Sequence, residues 1–233
     1  MSKGVVLHSG GLDSTVLLTK LLKEGHECYP LSVGYGQRHV KEIEAARRIC
    51  ERLGIISRWH YLDLSNLKQL IHSALHGVGD IPHGHYEAEM QKVTVSPNRN
   101  MILLSVAAGY AETLGGSFVA YAAHSNDRSV YSDCRPEFVK SVGETIKLGT
   151  GGKVELIEPF VDYTKKDVVL EGVRLDAPLE LTFSCYEGRE RPCLQCGTDL
   201  ERTEAFHLAG IQDPALTDEE WIQALKYLGQ YTK

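Results

Sequence analysis

The first 64 residues alternate β-favouring runs with helical patterns, and this alternation constrains the fold more than any other feature of the chain. The runs at 4–8, 26–36 and 55–64 predict strands. Apolar residues recur at helical spacing in 13–25 and 41–54, and each of these segments ends at a glycine. Strands that alternate with helices form parallel sheets covered by helices, because each connection crosses back over the sheet. The sequence therefore predicts an α/β fold with helices on both faces of a parallel sheet.

The rest of the chain continues this pattern after an irregular stretch. Residues 73–97 have no sustained period and predict a long loop. Helices are then predicted at 101–116, 133–148 and 164–174, and strands at 117–124 and 153–160. A last helix is predicted from Thr217. Capping-box signatures occur at Thr164 with Asp167 and at Thr217 with Glu220. A chain of 233 residues fits one α/β domain and an appendage. We predict a nucleotide-binding domain at 1–180 and a cysteine-containing helical segment at 181–233 packed on it.

Composition and charge exclude several classes of protein. Hydrophobic residues make up 42% of the chain, which is ordinary for a globular protein with a buried core. The formal net charge of −6 comes from acidic and basic residues mixed along the chain, so we expect no stable nucleic-acid partner. No apolar run approaches the roughly 20 residues that a membrane span requires. We therefore expect a cytoplasmic protein that does not enter the membrane.

The loop Ser9–Thr15, with the sequence SGGLDST, lies between the first strand and the first helix. Paired glycines allow a tight turn with open backbone N–H groups, and the helix directs its positive end at an anion bound there. The lysine of a GxxxxGK[ST] loop is missing. Asp13 would repel phosphates unless a cation intervened, so it either holds magnesium or braces the loop. The alternative interpretation is a plain strand-to-helix turn in which Asp13 caps the helix.

Three of the six cysteines fall together as C-x7-C-x2-C at Cys185, Cys193 and Cys196. In a reducing compartment such a cluster favours a metal over disulfides. Asp199 stands where the same spacing would place a fourth ligand, and a carboxylate there or His207 nearby completes a tetrahedral zinc site. The alternatives are three reduced thiols in a loop, or a redox pair at Cys193 and Cys196.

The string SGGxDS after an N-terminal strand resembles the signature of the PP-loop ATP pyrophosphatases, and four further strings resemble the 7-cyano-7-deazaguanine synthase family within that superfamily. They are YGQRH from Tyr35, PNRN from Pro97, YSDCRPEF from Tyr131 and SCYEG from Ser184, and the resemblance extends to EAF at 204–206. It covers nearly the whole chain. It departs at Asp199, where the family usually has a fourth zinc cysteine.

This resemblance implies an adenine nucleotide alpha hydrolase-like, PP-loop fold and an ATP-dependent ligase. The ligase would convert 7-carboxy-7-deazaguanine and ammonia to the nitrile through two adenylations, as a homodimer that uses magnesium and zinc. The implied nucleotide-binding residues are His8, Ser9, Gly10, Gly11, Leu12, Asp13, Ser14, Thr15, Val16, Leu17 and Leu18, and the implied metal ligands are Cys185, Cys193, Cys196 and Asp199. The implied catalytic residues are Asp13, Arg38 and Arg99, and the candidate contacts of the base are Asp127, Asp133, Arg135 and Glu137.

Other interpretations of the same residues remain open at this point. Arg38 and Arg99 clamp the substrate carboxylate or a phosphate, or they form surface ion pairs. Any of the three acidic base contacts alternatively caps the helix that starts near Arg135. For the chain as a whole, three alternatives remain. They are a sulfur-inserting enzyme of the same superfamily, a noncatalytic nucleotide-binding regulator, and a variant enzyme that stops at the amide or attaches deazaguanine elsewhere.

Overall fold

A five-stranded, all-parallel sheet forms the centre of the molecule, as the alternating sequence pattern predicts. The computed structural model describes residues 1–37, 41–77, 79–85 and 89–231. The strands are β1 (Lys3–Leu7), β2 (Glu27–Gly34), β3 (His60–Asp63), β4 (Phe118–Ala120) and β5 (Glu155–Ile157). Their order across the sheet is β3-β2-β1-β4-β5, and every neighbouring pair is parallel.

The helices follow the predicted segments closely. They are α1 (Leu12–Lys23), α2 (Lys41–Arg52), α3 (Arg99–Thr113), α4 (Pro136–Gly149), α5 (Lys165–Arg174), α6 (Gly197–Leu208) and α7 (Asp218–Tyr231). Helix α4 starts later than the predicted 133–148, because Pro136 opens it and a separate 3-10 turn occupies Ser132–Cys134. The described part of the predicted loop at 73–97 contains the 3-10 turns Ala74–His76 and Glu89–Thr94.

Both predicted capping boxes are present and define where two helices begin. At α5, the Thr164 side chain accepts from the Asp167 backbone N–H, and the Asp167 carboxylate accepts from the Thr164 backbone N–H. At α7, the Thr217 hydroxyl and the Glu220 carboxylate exchange the same pair of bonds. Each box satisfies backbone donors that have no partner within the helix.

Neighbouring residues of β1 face opposite sides of the sheet, and each side has its own apolar core. Val6 lies in the core formed with α1, α5 and α6, which includes Leu17 and Phe206. Val5 lies in the core formed with α3 and α4, which includes Leu104. The prediction of helices on both faces is confirmed.

Helix α6 belongs to the segment after residue 180 and packs against α5. Arg202 on this helix forms a buried, two-point ion pair with Asp213, with distances of 2.5 Å from Nε to Oδ2 and 2.8 Å from Nη2 to Oδ1. Its Nη1 also donates to the Thr182 hydroxyl at 2.8 Å. These contacts hold α6 within the C-terminal segment, and Arg202 Nη2 also donates to the Leu179 carbonyl of the first unit at 3.4 Å. The domain boundary at residue 180 stays a prediction. In the parts of the chain that the structure describes, no helix is both long and apolar enough to cross a membrane.

Candidate functional site

A cleft opens at the carboxyl ends of the strands, between β1 and β4, where the side of the sheet on which the next strand is added reverses. Strand β1 pairs with β2 on one side and with β4 on the other, so the connections leave β1 and β4 towards opposite edges. In open α/β sheets, such a switch point forms a crevice in which ligands bind. Here the residues after β1, β2 and β4 line the cleft, together with the starts of α1, α3 and α5.

Gly10 is required by the shape of the loop that follows β1. Its φ of +91° lies in the region that favours glycine, and a Cβ atom there would lie 2.1 Å from the Glu42 carbonyl oxygen and 2.6 Å from the Ala46 nitrogen. The loop therefore passes against the backbone of α2 at a distance that no side chain permits.

Replacing Gly10 with alanine should lower the free energy of unfolding by about 1–3 kcal/mol, because the residue would be strained and the loop would be pushed off α2. Equilibrium urea unfolding measures this loss. Gly229→Ala is the matched control, because Gly229 lies within helix α7 with no atom near its Cβ position, so alanine there should raise stability by roughly 0.5–1 kcal/mol. Equal effects of the two substitutions would contradict the role given to Gly10.

Hydroxyl groups organise the rest of the loop. The Ser9 hydroxyl accepts from the Gly11 backbone N–H at 3.1 Å and lies 3.1 Å from the Ser14 hydroxyl. The Ser9 backbone N–H donates to the same Ser14 oxygen at 3.2 Å. With the N-terminus of α1 beside them, these groups form a set of donors suited to an anion.

The eleven residues predicted to bind nucleotide divide into two groups. His8, Ser9, Gly11, Asp13 and Ser14 line the cleft. Leu12, Val16, Leu17 and Leu18 pack into the core, the Thr15 hydroxyl donates to the Gly11 carbonyl at 2.8 Å, and Gly10 shapes the turn. The first group therefore lines the site, while the apolar residues of α1 in the second group anchor the loop in the core.

A buried cluster of charges lies beside the loop. The Lys165 ammonium is 2.6 Å from Asp13 Oδ2, 3.6 Å from Glu201 Oε2 and 3.2 Å from His124 Nε2. Burial opposes the charge on Lys165, but the Asp13 and Glu201 carboxylates outweigh it and raise the pKa of the ammonium. Burial likewise opposes ionisation of Asp13, yet Lys165 and His124 lower its pKa. Lysine and aspartate are therefore both ionised at neutral pH.

The other half of the cleft is aromatic and contains the partly buried guanidinium of Arg99. Arg99 Nη1 donates to the Tyr35 hydroxyl at 3.3 Å, and its guanidinium carbon lies 5.8 Å from the centre of the Tyr35 ring. The hydroxyls of Tyr131 and Tyr186 are 3.0 Å apart. The Tyr121 hydroxyl is buried without a hydrogen-bond partner among the residues that the structure describes. This half offers flat rings, a cation and an unused hydroxyl to a planar ligand.

The structure places the remaining predicted site residues in three kinds of position. Arg99 and Asp127 line the cleft. Asp133 is buried behind it, where its Oδ2 accepts from the Asn100 backbone N–H at 3.0 Å in the first turn of α3. Arg135 and Glu137 are exposed and do not line the cleft, and Arg38 lies outside the described residues.

Sequence reasoning missed His124, Lys165 and Glu201, which surround Asp13. His124 follows β4 and Lys165 is the first residue of α5, so both belong to the carboxyl edge of a parallel sheet, and that position was a usable signal. Glu201 reaches the cleft from α6, and nothing in its sequence surroundings marks it.

The cysteine cluster forms a compact group of metal ligands. Donor atoms of Cys185, Cys193, Cys196 and Asp199 all lie within 4.8 Å of one another, and His207 is exposed and is not part of this group. The Cys185 sulfur accepts from the Cys193 backbone N–H and the Cys193 sulfur from the Cys196 N–H, each at 3.3 Å. Such bonds orient thiolate ligands. Three sulfurs and one carboxylate oxygen fit a tetrahedral zinc ion.

Comparison with known proteins places the chain among enzymes of deazaguanine metabolism. The family described as queuosine biosynthesis protein QueC matches residues 3–210. A 7-cyano-7-deazaguanine synthase from Archaeoglobus fulgidus is 50% identical over 96% of this chain and 94% of its own length. The corresponding synthase from Pseudoalteromonas translucida is 44% identical over 91% of this chain and 97% of its own length. Among solved structures, an NMN synthetase from Francisella tularensis aligns with 99% of this chain and 86% of its own, at 14% identity and a TM-score of 0.49.

Proposed function

Because this chain belongs to the QueC family and is an ATP-dependent carbon–nitrogen ligase that makes 7-cyano-7-deazaguanine, we propose that the cleft between β1 and β4 carries out both of its adenylations. The observation that carries this proposal is the arrangement of the cleft. On one side lie a loop suited to bind phosphates and the buried ammonium of Lys165. On the other side lies an aromatic pocket with the partly buried guanidinium of Arg99. An acid bound among the tyrosines would therefore face the nucleotide.

The reaction proceeds by the same kind of attack twice. A carboxylate oxygen of 7-carboxy-7-deazaguanine attacks the α-phosphorus of ATP, and pyrophosphate leaves. Ammonia then attacks the acyl carbon, and AMP leaves with that oxygen to give the amide. The amide oxygen then attacks the α-phosphorus of a second ATP, and a second pyrophosphate and an amide proton leave. Loss of AMP and the remaining N–H proton gives the nitrile. Because an oxygen on the same carbon is the nucleophile in both steps, one nucleotide site serves both.

The phosphates are assigned to the loop and its charged neighbour. The N–H groups at the start of α1 and the hydroxyls of Ser9 and Ser14 hold the pyrophosphate, and Lys165 offsets the charge that develops on it as it leaves. Asp13 Oδ1 is buried without a hydrogen-bond partner among the described residues, which fits a magnesium ion held between Asp13 and the phosphates. Magnesium there would offset phosphate charge.

The substrate acid is assigned to the aromatic half of the cleft. The Arg99 guanidinium pairs with the carboxylate, since its planar fork matches two oxygens, and Tyr131 and Tyr186 lie against the base. Asp127 accepts an N–H of the base with one of its oxygens. Asp133 instead positions α3, and Arg38 is assigned to a phosphate or the carboxylate on the family resemblance alone.

We also propose that the enzyme is a cytoplasmic homodimer without a stable nucleic-acid partner. The net charge of −6 supports the absence of a stable nucleic-acid partner.

Zinc bound by Cys185, Cys193, Cys196 and Asp199 would fix the start of α6, the helix that carries Glu201 into the cleft.

Protein purified without a chelator should contain about one zinc ion per chain, measured by elemental analysis. Replacing Asp199 with alanine should weaken zinc binding by at least roughly 10–100-fold, because one of four ligands is lost. His207→Ala should leave zinc binding unchanged, since His207 is exposed. Iron in place of zinc would contradict this assignment and favour the sulfur-inserting rival.

The function is tested by incubating the enzyme with ATP, magnesium, ammonium and 7-carboxy-7-deazaguanine, while mass spectrometry follows the base and chromatography follows the nucleotide. We expect the nitrile, with AMP and pyrophosphate formed only when the acid is present. Accumulation of the amide would show that the reaction stops there. AMP formation that does not depend on the acid would contradict the proposed function.

A further inference from the structure

His124, Asp127 and Glu201 bring three metal-binding atoms together at the edge of the charged cluster. His124 Nε2 lies 3.5 Å from Asp127 Oδ2 and 3.9 Å from Glu201 Oε1, and all three donors lie within 4.8 Å of one another. Ligands about 2.0–2.2 Å from a metal are separated by roughly 3 to 4.4 Å around an octahedron. Small side-chain movements therefore suffice to place all three around one ion.

Glu201 shows that this corner of the cleft is incomplete. Its side chain is only 9% exposed, and among the described residues Oε1 has no hydrogen-bond partner, although the other oxygen faces Lys165 at 3.6 Å. A buried carboxylate oxygen without a partner is costly. The unpartnered oxygen is the one directed at His124 and Asp127. A cation at that point would supply the missing interaction.

The balance of charge also favours a divalent cation. The carboxylates of Asp13 and Glu201 face the ammonium of Lys165, and the carboxylate of Asp127 faces His124 beside it. When all are ionised and His124 is neutral, the group has an excess of two negative charges. Buried charges are stable when they are paired or bind a metal. One divalent ion balances this excess.

The Nε2 atom of His124 is the ring nitrogen that faces both carboxylates of the proposed site. It lies 3.2 Å from the Lys165 ammonium, which has donors and no acceptor. A neutral imidazole presents a lone pair at this nitrogen, which is what a metal ligand requires. A cation would take this lone pair from Lys165, which keeps its shorter contact with Asp13 at 2.6 Å.

We propose that His124, Asp127 and Glu201 bind one divalent cation in the absence of nucleotide. The site is distinct from the cysteine cluster and from the magnesium assigned to Asp13 with ATP. Carboxylate and imidazole ligands together suit Mn²⁺, which serves as the probe. Asp127 keeps its second oxygen for the base. The inference does not rest on the proposed function, because binding is measured without ATP or the acid.

The experiment is an electron paramagnetic resonance titration of the zinc-loaded protein with Mn²⁺ in the absence of nucleotide. Zinc is silent in this measurement and keeps the cysteine cluster occupied. We expect one Mn²⁺ per chain, with a nitrogen hyperfine coupling from the His124 ring. Glu201→Gln should weaken Mn²⁺ binding by roughly 10–100-fold, because it keeps the shape and removes the charge. Glu219→Gln, the same change on the exposed face of α7, should bind Mn²⁺ as the wild type does.

If Glu201→Gln does not fold, Asp127→Asn at the more open side of the cluster replaces it and should show the same weakening. The proposal is overturned if the wild-type protein binds no Mn²⁺, if Mn²⁺ binds without nitrogen coupling, or if the folded variant binds as tightly as the wild type. Conversion of acid to nitrile in the separate turnover assay would stand in each of these cases, so the two proposals fail independently.

Discussion

Replacing Lys165 with methionine should slow acid-dependent AMP formation by a factor on the order of 10²–10³, which is the usual cost of losing one buried group that stabilises developing charge. Lys165 is the cation closest to Asp13 in the cluster beside the loop, at 2.6 Å. Methionine has a similar length and no charge, so the leaving pyrophosphate would lose its counter-charge. The measurement is the initial rate of AMP formation with saturating ATP and acid.

Two control variants distinguish the loss of the Lys165 charge from a general effect of the substitution on folding. Lys166→Met makes the same change one residue further along α5, outside the cleft lining, and should leave the rate near that of the wild type. Lys165→Arg keeps the charge with a different shape, so its rate should lie between the two. A Lys165→Met variant that melts at the wild-type temperature and turns over at the wild-type rate would contradict the role given to Lys165.

Replacing Arg202 with methionine should lower the free energy of unfolding by about 3–5 kcal/mol. The substitution removes both bonds to Asp213, which is fully buried and would be left as an uncompensated negative charge. It also removes the bond from Arg202 to the Thr182 hydroxyl. Equilibrium unfolding in urea of the zinc-loaded protein measures the loss.

Arg174→Met is the matched control for this prediction. Arg174 also forms a two-point pair, with Glu171, but its side chain is 64% exposed, so its loss should cost only about 0–1 kcal/mol. The double variant Arg202→Met with Asp213→Leu should recover part of the loss, because no buried charge is then left unpaired. Equal losses for Arg202→Met and Arg174→Met would contradict the importance of the buried pair.

The fold was predictable because its signals are local. Alternating strand and helix patterns predict a parallel sheet, and the two capping boxes locate the starts of α5 and α7 within a residue. The strand order was less accessible, since the sequence does not show to which edge of β1 the fourth strand adds. The start of α4 was misplaced because a 3-10 turn precedes Pro136.

Most of the cleft residues that the sequence predicted lie within a motif, and Asp127 is the exception. The loop Ser9–Thr15 and Arg99 were found through their motifs. Lys165 contacts Asp13 across 152 positions of sequence, and only the folded sheet brings them together. The motif from Tyr131 divides its side chains between the cleft, the start of α3 and the exposed surface, so a shared string could not say which of Asp133, Arg135 and Glu137 meets a ligand.

Adenylation of the substrate is tested most directly by following ¹⁸O from the carboxylate of 7-carboxy-7-deazaguanine labelled at both oxygens. If each oxygen in turn attacks the α-phosphorus, both AMP molecules formed on the way to the nitrile carry one ¹⁸O, and the pyrophosphate carries none. Mass spectrometry of the nucleotide and pyrophosphate gives the answer. Unlabelled AMP, or ¹⁸O in inorganic phosphate or pyrophosphate, would contradict two successive adenylations.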